Sequence, residues 1–162
     1  MGSEMCIRDS TWIEFFEAEC AAVVNDHGGR VIKNIGDEVL FVVDDVARAA
    51  DAALVMTGRG SDPDDGFPEV RAGLAYGEVV SRLGDVFGPT VNIASRLTSI
   101  ARPGAVLIDR GAHDALTGDT ESDEADDAQQ EEREHGGFRF RRMRRTSVKG
   151  YSRLQSWVLR RT

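Results

Sequence analysis

The chain has 162 residues, 41% of them hydrophobic and 30% charged, with a formal net charge of −8. That composition fits one soluble globular domain and excludes a disordered chain. No apolar run nears the ~18 residues a membrane-spanning helix needs, and the N-terminus lacks the basic, apolar and small-residue succession of a signal peptide.

Residues 1–10 show no clear period and resemble a translated adaptor remnant, so they are read as a non-native leader ahead of a domain at 11–162. A helix is expected from Thr11, where Thr11 and Glu14 form a capping box. Trp12, Phe15, Phe16, Cys20, Val23 and Val24 recur at helical spacing until Gly28-Gly29 stops the helix. Two β-rich runs, Arg30–Ile35 and Val39–Val43, flank Gly36-Asp37-Glu38 and read as a hairpin with an Asp at its tip. Asp44 or Asp45 caps a second helix to about Thr57, burying Ala49, Ala50, Ala53 and Leu54. A strand (Val70–Ala75), a second hairpin arm (Glu78–Leu83) and a Gly84–Gly88 loop follow. Pro89 suits the first turn of a third helix to about Ile100. Ala105–Ile108 reads as a buried strand, Asp109 caps a short helix to Leu116, and strands are expected near Phe138–Arg144 and Arg153–Leu159. This order predicts an α+β domain whose helices stack on one side of a sheet.

Charge is segregated along the chain. Residues 1–118 carry 10 basic and 19 acidic side chains, net −9. Residues 119–135 carry one basic and nine acidic, net −8, and residues 136–162 carry nine basic and none acidic, net +9. The acidic run has almost no large apolar residue and reads as a flexible loop. The basic strand after it (Phe138, Phe140 and Met143 interleaved with Arg) reads as its internal counter-charge. Nucleic-acid binding calls for a basic face on the whole domain, and this domain is acidic. Two cysteines, Cys6 and Cys20, make no disulfide framework or zinc cage and fit a reducing, cytoplasmic setting.

Three local patterns are weak singly. An Asp beside Gly at a hairpin tip, as in Lys33-Asn34-Ile35-Gly36-Asp37-Glu38, is ordinary turn chemistry. Asn92 and Arg96 are four apart on one helix and share a face, as solvated helix residues often do. Val148-Lys149-Gly150 ahead of an amphipathic strand says little alone.

Taken together and in this order, Lys33, Asp37, Asp85, Asn92 and Arg96 resemble the catalytic domain of class III nucleotidyl cyclases, the adenylate and guanylate cyclases. The resemblance runs from about Thr11 to Leu159 and is most specific from Asp85 to Arg96. The Ala-Arg-Pro-Gly stretch at 101–104 and the closing Val-Lys-Gly are also similar to this family. It implies a ferredoxin-like α+β fold with a mostly antiparallel sheet, dimerising head to tail. It also implies conversion of ATP to 3′,5′-cyclic AMP and pyrophosphate, using two divalent cations, Mg²⁺ or Mn²⁺. By the same resemblance Asp37 is a metal ligand, Lys33 and Asp85 select the base, Asn92 orients the ribose, Arg96 contacts the phosphates and Lys149 reaches the terminal phosphates.

The chemistry explains the residue types. The ribose 3′-hydroxyl must attack the α-phosphorus in line while pyrophosphate leaves. Cations held by carboxylates lower the hydroxyl's pKa and neutralise the triphosphate. A planar guanidinium stabilises charge growing on the transferring group. A lysine donates to adenine N1 and an aspartate accepts from its N6 amine. In the family the metal carboxylates come from one protomer and the base-reading and transition-state residues from the other, which implies a homodimer with two composite sites.

One departure from the family pattern carries an expectation. The family's first metal aspartate sits on an opening strand roughly forty residues before the Gly-Asp tip, a position that here falls before Met1. The chain is therefore expected to lack that strand and to be an inactive fragment of a parent with room for an upstream regulatory domain. Two alternatives stand beside this reading: a diguanylate-cyclase-like domain, echoed by Gly36-Asp37-Glu38, and a non-catalytic ferredoxin-like binding or dimerisation module.

Overall fold

The computed structural model describes residues 2–118 and 132–162. Its elements run α1 (Gly2–Asp26), β1 (Arg30–Ile35), β2 (Glu38–Val42), α2 (Val46–Arg59), β3 (Ala72–Leu74), β4 (Val80–Arg82), β5 (Asp85–Phe87), α3 (Pro89–Ile100), β6 (Val106–Asp109), α4 (Arg110–Thr117), β7 (Glu132–His135), β8 (Phe138–Arg142), β9 (Thr146–Val148), β10 (Tyr151–Leu154) and β11 (Ser156–Arg161). The predicted α+β class holds.

Five strands form the main sheet in the order β3-β6-β11-β8-β7. β3 pairs parallel with β6, and the remaining pairs are antiparallel. The hairpins β1–β2, β4–β5 and β9–β10 each pair only within themselves among the described residues. All four residues of β6 are buried. Successive side chains on a strand point to opposite faces, so such a strand needs cover on both. Val106, Ile108, Trp157 and Leu159 meet Ala50 and Ala53 of α2 and Ala112 of α4. On the other face Leu107 and Val158 meet Leu97 of α3 and Ala101, the residue that ends it. The expectation of helices on one side is thus corrected: the alternating apolar residues of β6 and β11 recruit helices to both. Each such side chain contributes roughly 1.5–3 kcal/mol when fully buried.

A separate cluster lies under the first hairpin, where Phe16, Cys20, Val23 and Val24 of α1 pack with Met56, Phe67, Val31, Val39 and Phe41. Trp12 and Phe15, predicted on that face, stay exposed. Arg59 ties α1 to the end of α2, its guanidinium reaching Glu19 at 2.7 Å and Asp65 at 2.6 Å. Burial pushes the Cys20 thiol up to about 11, which leaves it a packing residue rather than a nucleophile.

The start of α1 is a correction. The helix begins at Gly2, not Thr11, and Thr11 lies inside it rather than at a cap. Once a packed segment nucleates a helix, extension adds a hydrogen bond per residue, and no proline interrupts residues 2–10. A second correction concerns Gly84–Gly88: Asp85–Phe87 is a strand, and β5, not β3, is the partner of β4. A third concerns the end of the acidic run. Glu132–His135 is an edge strand on β8, with Glu134 reaching Arg139 at 3.0 Å across the pair. Opposite charges facing one another stabilise such a ladder. The rest of that predicted loop, 119–131, lies outside the described residues.

Candidate active site

Lys33 and Asp37 ride on one hairpin. Ile35 pairs with Glu38, so the loop is Gly36-Asp37, with Gly36 at φ +60°. A glycine at the first loop position takes the left-handed conformation a tight hairpin requires and lets Asp37 keep a relaxed backbone. Asp37 stands exposed at the tip. Between Val31 and Lys33 the register shifts by a bulge, a feature that re-aims the side chain beside it.

The re-aimed Lys33 meets a residue distant in sequence. Its Nζ donates to Asp85 Oδ2 at 2.9 Å, joining β1 to β5. The other carboxylate oxygen of Asp85 accepts from the Val86 backbone N–H at 2.8 Å. The lysine, and secondarily that amide, hold the Asp85 carboxyl below the usual carboxylate range. Asp85 is therefore an oriented anion, with Lys33 as its counter-charge.

From β5 the chain passes through Gly88, at φ +129°, into α3. Pro89 opens that helix as predicted, and Thr90 Oγ1 donates to the Glu78 carbonyl at 2.9 Å. Asn92, exposed, and Arg96, half-buried, follow one turn apart. Gly73 of β3 sets how close α3 lies. A Cβ there would sit 2.5 Å from the Ala94 carbonyl oxygen and from the Thr98 nitrogen. Only glycine admits that approach, and it fixes the helix carrying Asn92 and Arg96 against the sheet.

Lys149 is exposed in the two-residue loop of β9–β10, where Val148 pairs with Tyr151 and Gly150 has φ +91°. Among the described residues, the Lys33–Asp85 pair is the direct contact within the predicted set; Asn92 and Arg96 share a helix, while Asp37 and Lys149 occupy separate hairpin tips. No three His, Cys, Asp or Glu side chains gather to hold a metal among the described residues. Asp37 brings one carboxylate, so the described residues of a single chain do not complete a two-cation site.

Sequence reasoning did not foresee the Asp109 environment. Asp109 is buried at the end of β6 and caps α4, its Oδ1 accepting from Ala112 at 2.8 Å and from Tyr76 at 3.2 Å. Burial raises its pKa, opposed by these backbone donors. The cap was legible; the link to Tyr76, which anchors the segment before β4, was not.

With this geometry in view, the similarity to known proteins is specific. Residues 15–161 match the adenylate and guanylate cyclase catalytic domain, and the chain belongs to that family. By family it is a cyclase domain, of the phosphorus–oxygen lyase class. An adenylate cyclase of Glutamicibacter nicotianae is 45% identical over 66% of this chain and 26% of its own length. One of Streptomyces coelicolor is 50% identical over 60% of this chain and 25% of its own. The chain thus spans about a quarter of the length of these relatives. Among solved structures, an adenylate/guanylate cyclase/hydrolase from Silicibacter pomeroyi superposes at a TM-score of 0.63 with 25% identity, over 98% of this chain and 86% of that one. The catalytic core of a rhodopsin-guanylyl cyclase in complex with ATPαS reaches 0.70 at 24% identity, over 91% of this chain and 79% of that one. The match places the chain with these cyclases rather than with the diguanylate cyclases that Gly36-Asp37-Glu38 echoes. No helix among the described residues is long and apolar enough to cross a membrane.

Proposed function

We propose that this domain converts ATP to 3′,5′-cyclic AMP and pyrophosphate in a homodimer with two composite sites, in the cytoplasm. The observation that carries the reading is the Lys33–Asp85 pair, 2.9 Å apart and held at the entrance to α3. An ammonium donor beside an oriented carboxylate acceptor matches the adenine edge, where N1 accepts and the N6 amine donates. Guanine presents the reverse, a donor at N1 and an acceptor at position 6. A site that hydrogen-bonds its base discriminates strongly, because the wrong base leaves polar groups unpaired. Relatives at 45% and 50% identity are adenylate cyclases by name, which supports the same choice.

In this reading Asn92 orients the ribose, Arg96 meets the phosphate charge that grows as the α-phosphorus is attacked, and Lys149 holds the terminal phosphates. Asp37 ligates a divalent cation, Mg²⁺ or Mn²⁺; two such cations, when bound, supply charge neutralisation and a more acidic 3′-hydroxyl. The second protomer is needed because the base-reading pair and Asp37 serve opposite sites. The β4–β5 hairpin supports association. Leu83 at its tip is 97% exposed, and Val80 and Phe87 are 63% and 52% exposed. Three large apolar side chains left in water beside Asp85 form a surface suited to a second copy.

Activity of this chain by itself is expected to be negligible. One carboxylate stands where two cations need more, and β3 is an edge strand while β1–β2 pairs only with itself among the described residues. The test compares the chain with an extended form, in which a family relative's opening strand is fused ahead of Thr11, for cyclic AMP production from Mn²⁺-ATP and cyclic GMP production from Mn²⁺-GTP. The extended form is expected to turn over ATP well above GTP, and the shorter one neither. Equal rates on both nucleotides would refute the base assignment, and equal activity of the two forms would refute the missing carboxylate.

A further inference from the structure

The β9–β10 hairpin borders a cavity of about 240 Å³ that also touches α3 and the start of α4. Its wall includes Ile93, Asp109, Arg110, Arg145, Arg153 and Gln155. Three guanidiniums come from three separate places: the first residue of α4, the residue before β9, and β10. Nothing in the site described above uses them.

The other two polar groups on the wall are committed to the fold. Asp109 Oδ1 caps α4 through Ala112 and also accepts from Tyr76. The Gln155 side-chain amide donates to the Met143 carbonyl at 2.8 Å and the Ser156 carbonyl at 3.2 Å, while its oxygen accepts from Arg142 at 3.3 Å. The guanidiniums differ in capacity. Each carries five N–H donors in a planar fork and no acceptor, so it can serve an oxyanion in addition to a partner it holds in the fold. Three guanidiniums against one carboxylate leave the lining net positive.

Volume narrows the ligand. At this volume, below the roughly 300–1,000 Å³ of pockets that take whole drug-sized molecules, the recess has room for a small oxyanion. Forked donors match the tetrahedral oxygens of a phosphoryl group, where bidentate contacts are strongest. Position narrows it again. Ile93 is the neighbour of Asn92 on α3, and Arg145 and Arg153 stand at the base of the hairpin whose tip carries Lys149.

We propose that this cavity is a binding site for a small phosphoryl oxyanion, pyrophosphate or inorganic phosphate, held by Arg110, Arg145 and Arg153. The site shares no lining residue with the base and ribose contacts, and two of its arginines stand at the base of the hairpin that carries Lys149. Its use as a resting place for departing pyrophosphate rests on the cyclase reading; the binding itself does not. No bond is made or broken there.

Calorimetric titration of the chain with sodium pyrophosphate and, separately, sodium phosphate, at constant ionic strength with EDTA, tests the proposal without turnover. Saturable binding is expected, accompanied by a rise in Tm. Arg153→Gln and Arg110→Gln are each expected to weaken it about tenfold or more, as the loss of a charge-assisted contact does. Arg96→Ala and Lys149→Ala are expected to leave it within about threefold. Circular dichroism and anion-free Tm verify that each variant folds, and two independent arginine variants keep the test alive if one does not. Tighter binding of pyrophosphate than phosphate marks the reaction product as the source, and the reverse marks free phosphate; both support the site. Absence of saturable binding to the parent chain overturns it. So does binding that survives Arg153→Gln and Arg110→Gln but is lost in Arg96→Ala and Lys149→Ala. Failure here leaves the cyclic AMP assay untouched, so the two readings fall separately.

Discussion

Both β1–β2 and β4–β5 close through two-residue loops, yet the first places a glycine at the left-handed position and the second a leucine. Gly36 has φ +60° and leaves Asp37 relaxed beside it. Leu83 has φ +52°, is followed by Gly84 at φ +76°, and is 97% exposed. A branched side chain in that conformation costs about 1–2 kcal/mol relative to a right-handed one, and asparagine or glycine is the usual occupant. Among the described residues, no burial of the Leu83 side chain offsets this. The difference teaches that tip residues answer to what lies outside the hairpin: in the proposed function, a cation at Asp37 and a second copy at Leu83.

The strongest way to break that contrast is to remove the carboxylate. Asp37→Ala in the extended form is expected to lower cyclic AMP production by ~10³-fold or more, since a cation at the reacting oxygens supplies several kcal/mol and each ~1.4 kcal/mol is tenfold. Its thermal unfolding should match the parent, because the side chain makes no described contact. A loss of activity paralleled by a loss of Tm would make Asp37 a turn residue only.

Gly73→Ala comes next, and sharpens the contrast by perturbing α3, the helix that packs on β3, β6 and β5 of the second hairpin. The added methyl meets backbone atoms of α3 at 2.5 Å. Overpacking of this kind costs about 1–3 kcal/mol, which lowers Tm by roughly 2–12 °C in a domain of this size. Scanning calorimetry reads it directly; an unchanged Tm would mean that α3 does not lie so close.

Leu83→Gly should separate folding from association. Folding stability is expected to stay within about 1 kcal/mol of the parent, relief of the left-handed leucine being offset by glycine's unfolded-state entropy. Dimer affinity in the extended form should fall about tenfold or more, because a Leu buried at an interface contributes ~1.5–3 kcal/mol. Sedimentation equilibrium gives both species. An unchanged dissociation constant would remove the hairpin from the interface.

The smallest effects are in the pH dependence, and their signs differ. Asp85 is depressed by Lys33, so its contribution is present above the unfolded carboxylate pKa of ~3.9 and lost as pH falls through the lower folded value. Asp109 is raised by burial, so its contribution is full below ~3.9 and declines as pH rises through the higher folded value. Asp85→Asn should therefore flatten the acid limb of a stability–pH curve, and Asp109→Asn should remove a decline on its alkaline side. Matching slopes in both variants would contradict the burial of Asp109.

Much of this molecule was legible residue by residue. Pro89 at the first turn of α3, Asp45 and Asp109 as caps, and the Gly36-Asp37 loop are local chemistry that a sequence displays. The candidate site residues came from the family resemblance that their order along the chain carries, and of them Lys33 and Asp85 prove to touch. β5 stayed hidden because Leu83 occupies a turn position where the usual signal is asparagine or glycine. Placing α3 on the opposite face from α2 depends on Leu107 and Val158 alternating with their neighbours, a distinction that needs the strand order. The close approach at Gly73 and the convergence of Arg110, Arg145 and Arg153 are long-range facts with no local signature. The helical backbone of residues 2–10 followed from propagation, not from any amphipathic period.

The central claim is that Asp37 of one protomer and Arg96 of the other complete the same site. Mixing the Asp37→Ala and Arg96→Ala variants of the extended form tests it most directly. Each alone is expected to be almost inactive. On mixing, half of randomly paired dimers are mixed and one of their two sites is whole, so cyclic AMP production should return to about a quarter of the parent rate. A mixture that dimerises yet stays as inactive as either variant would contradict the composite site.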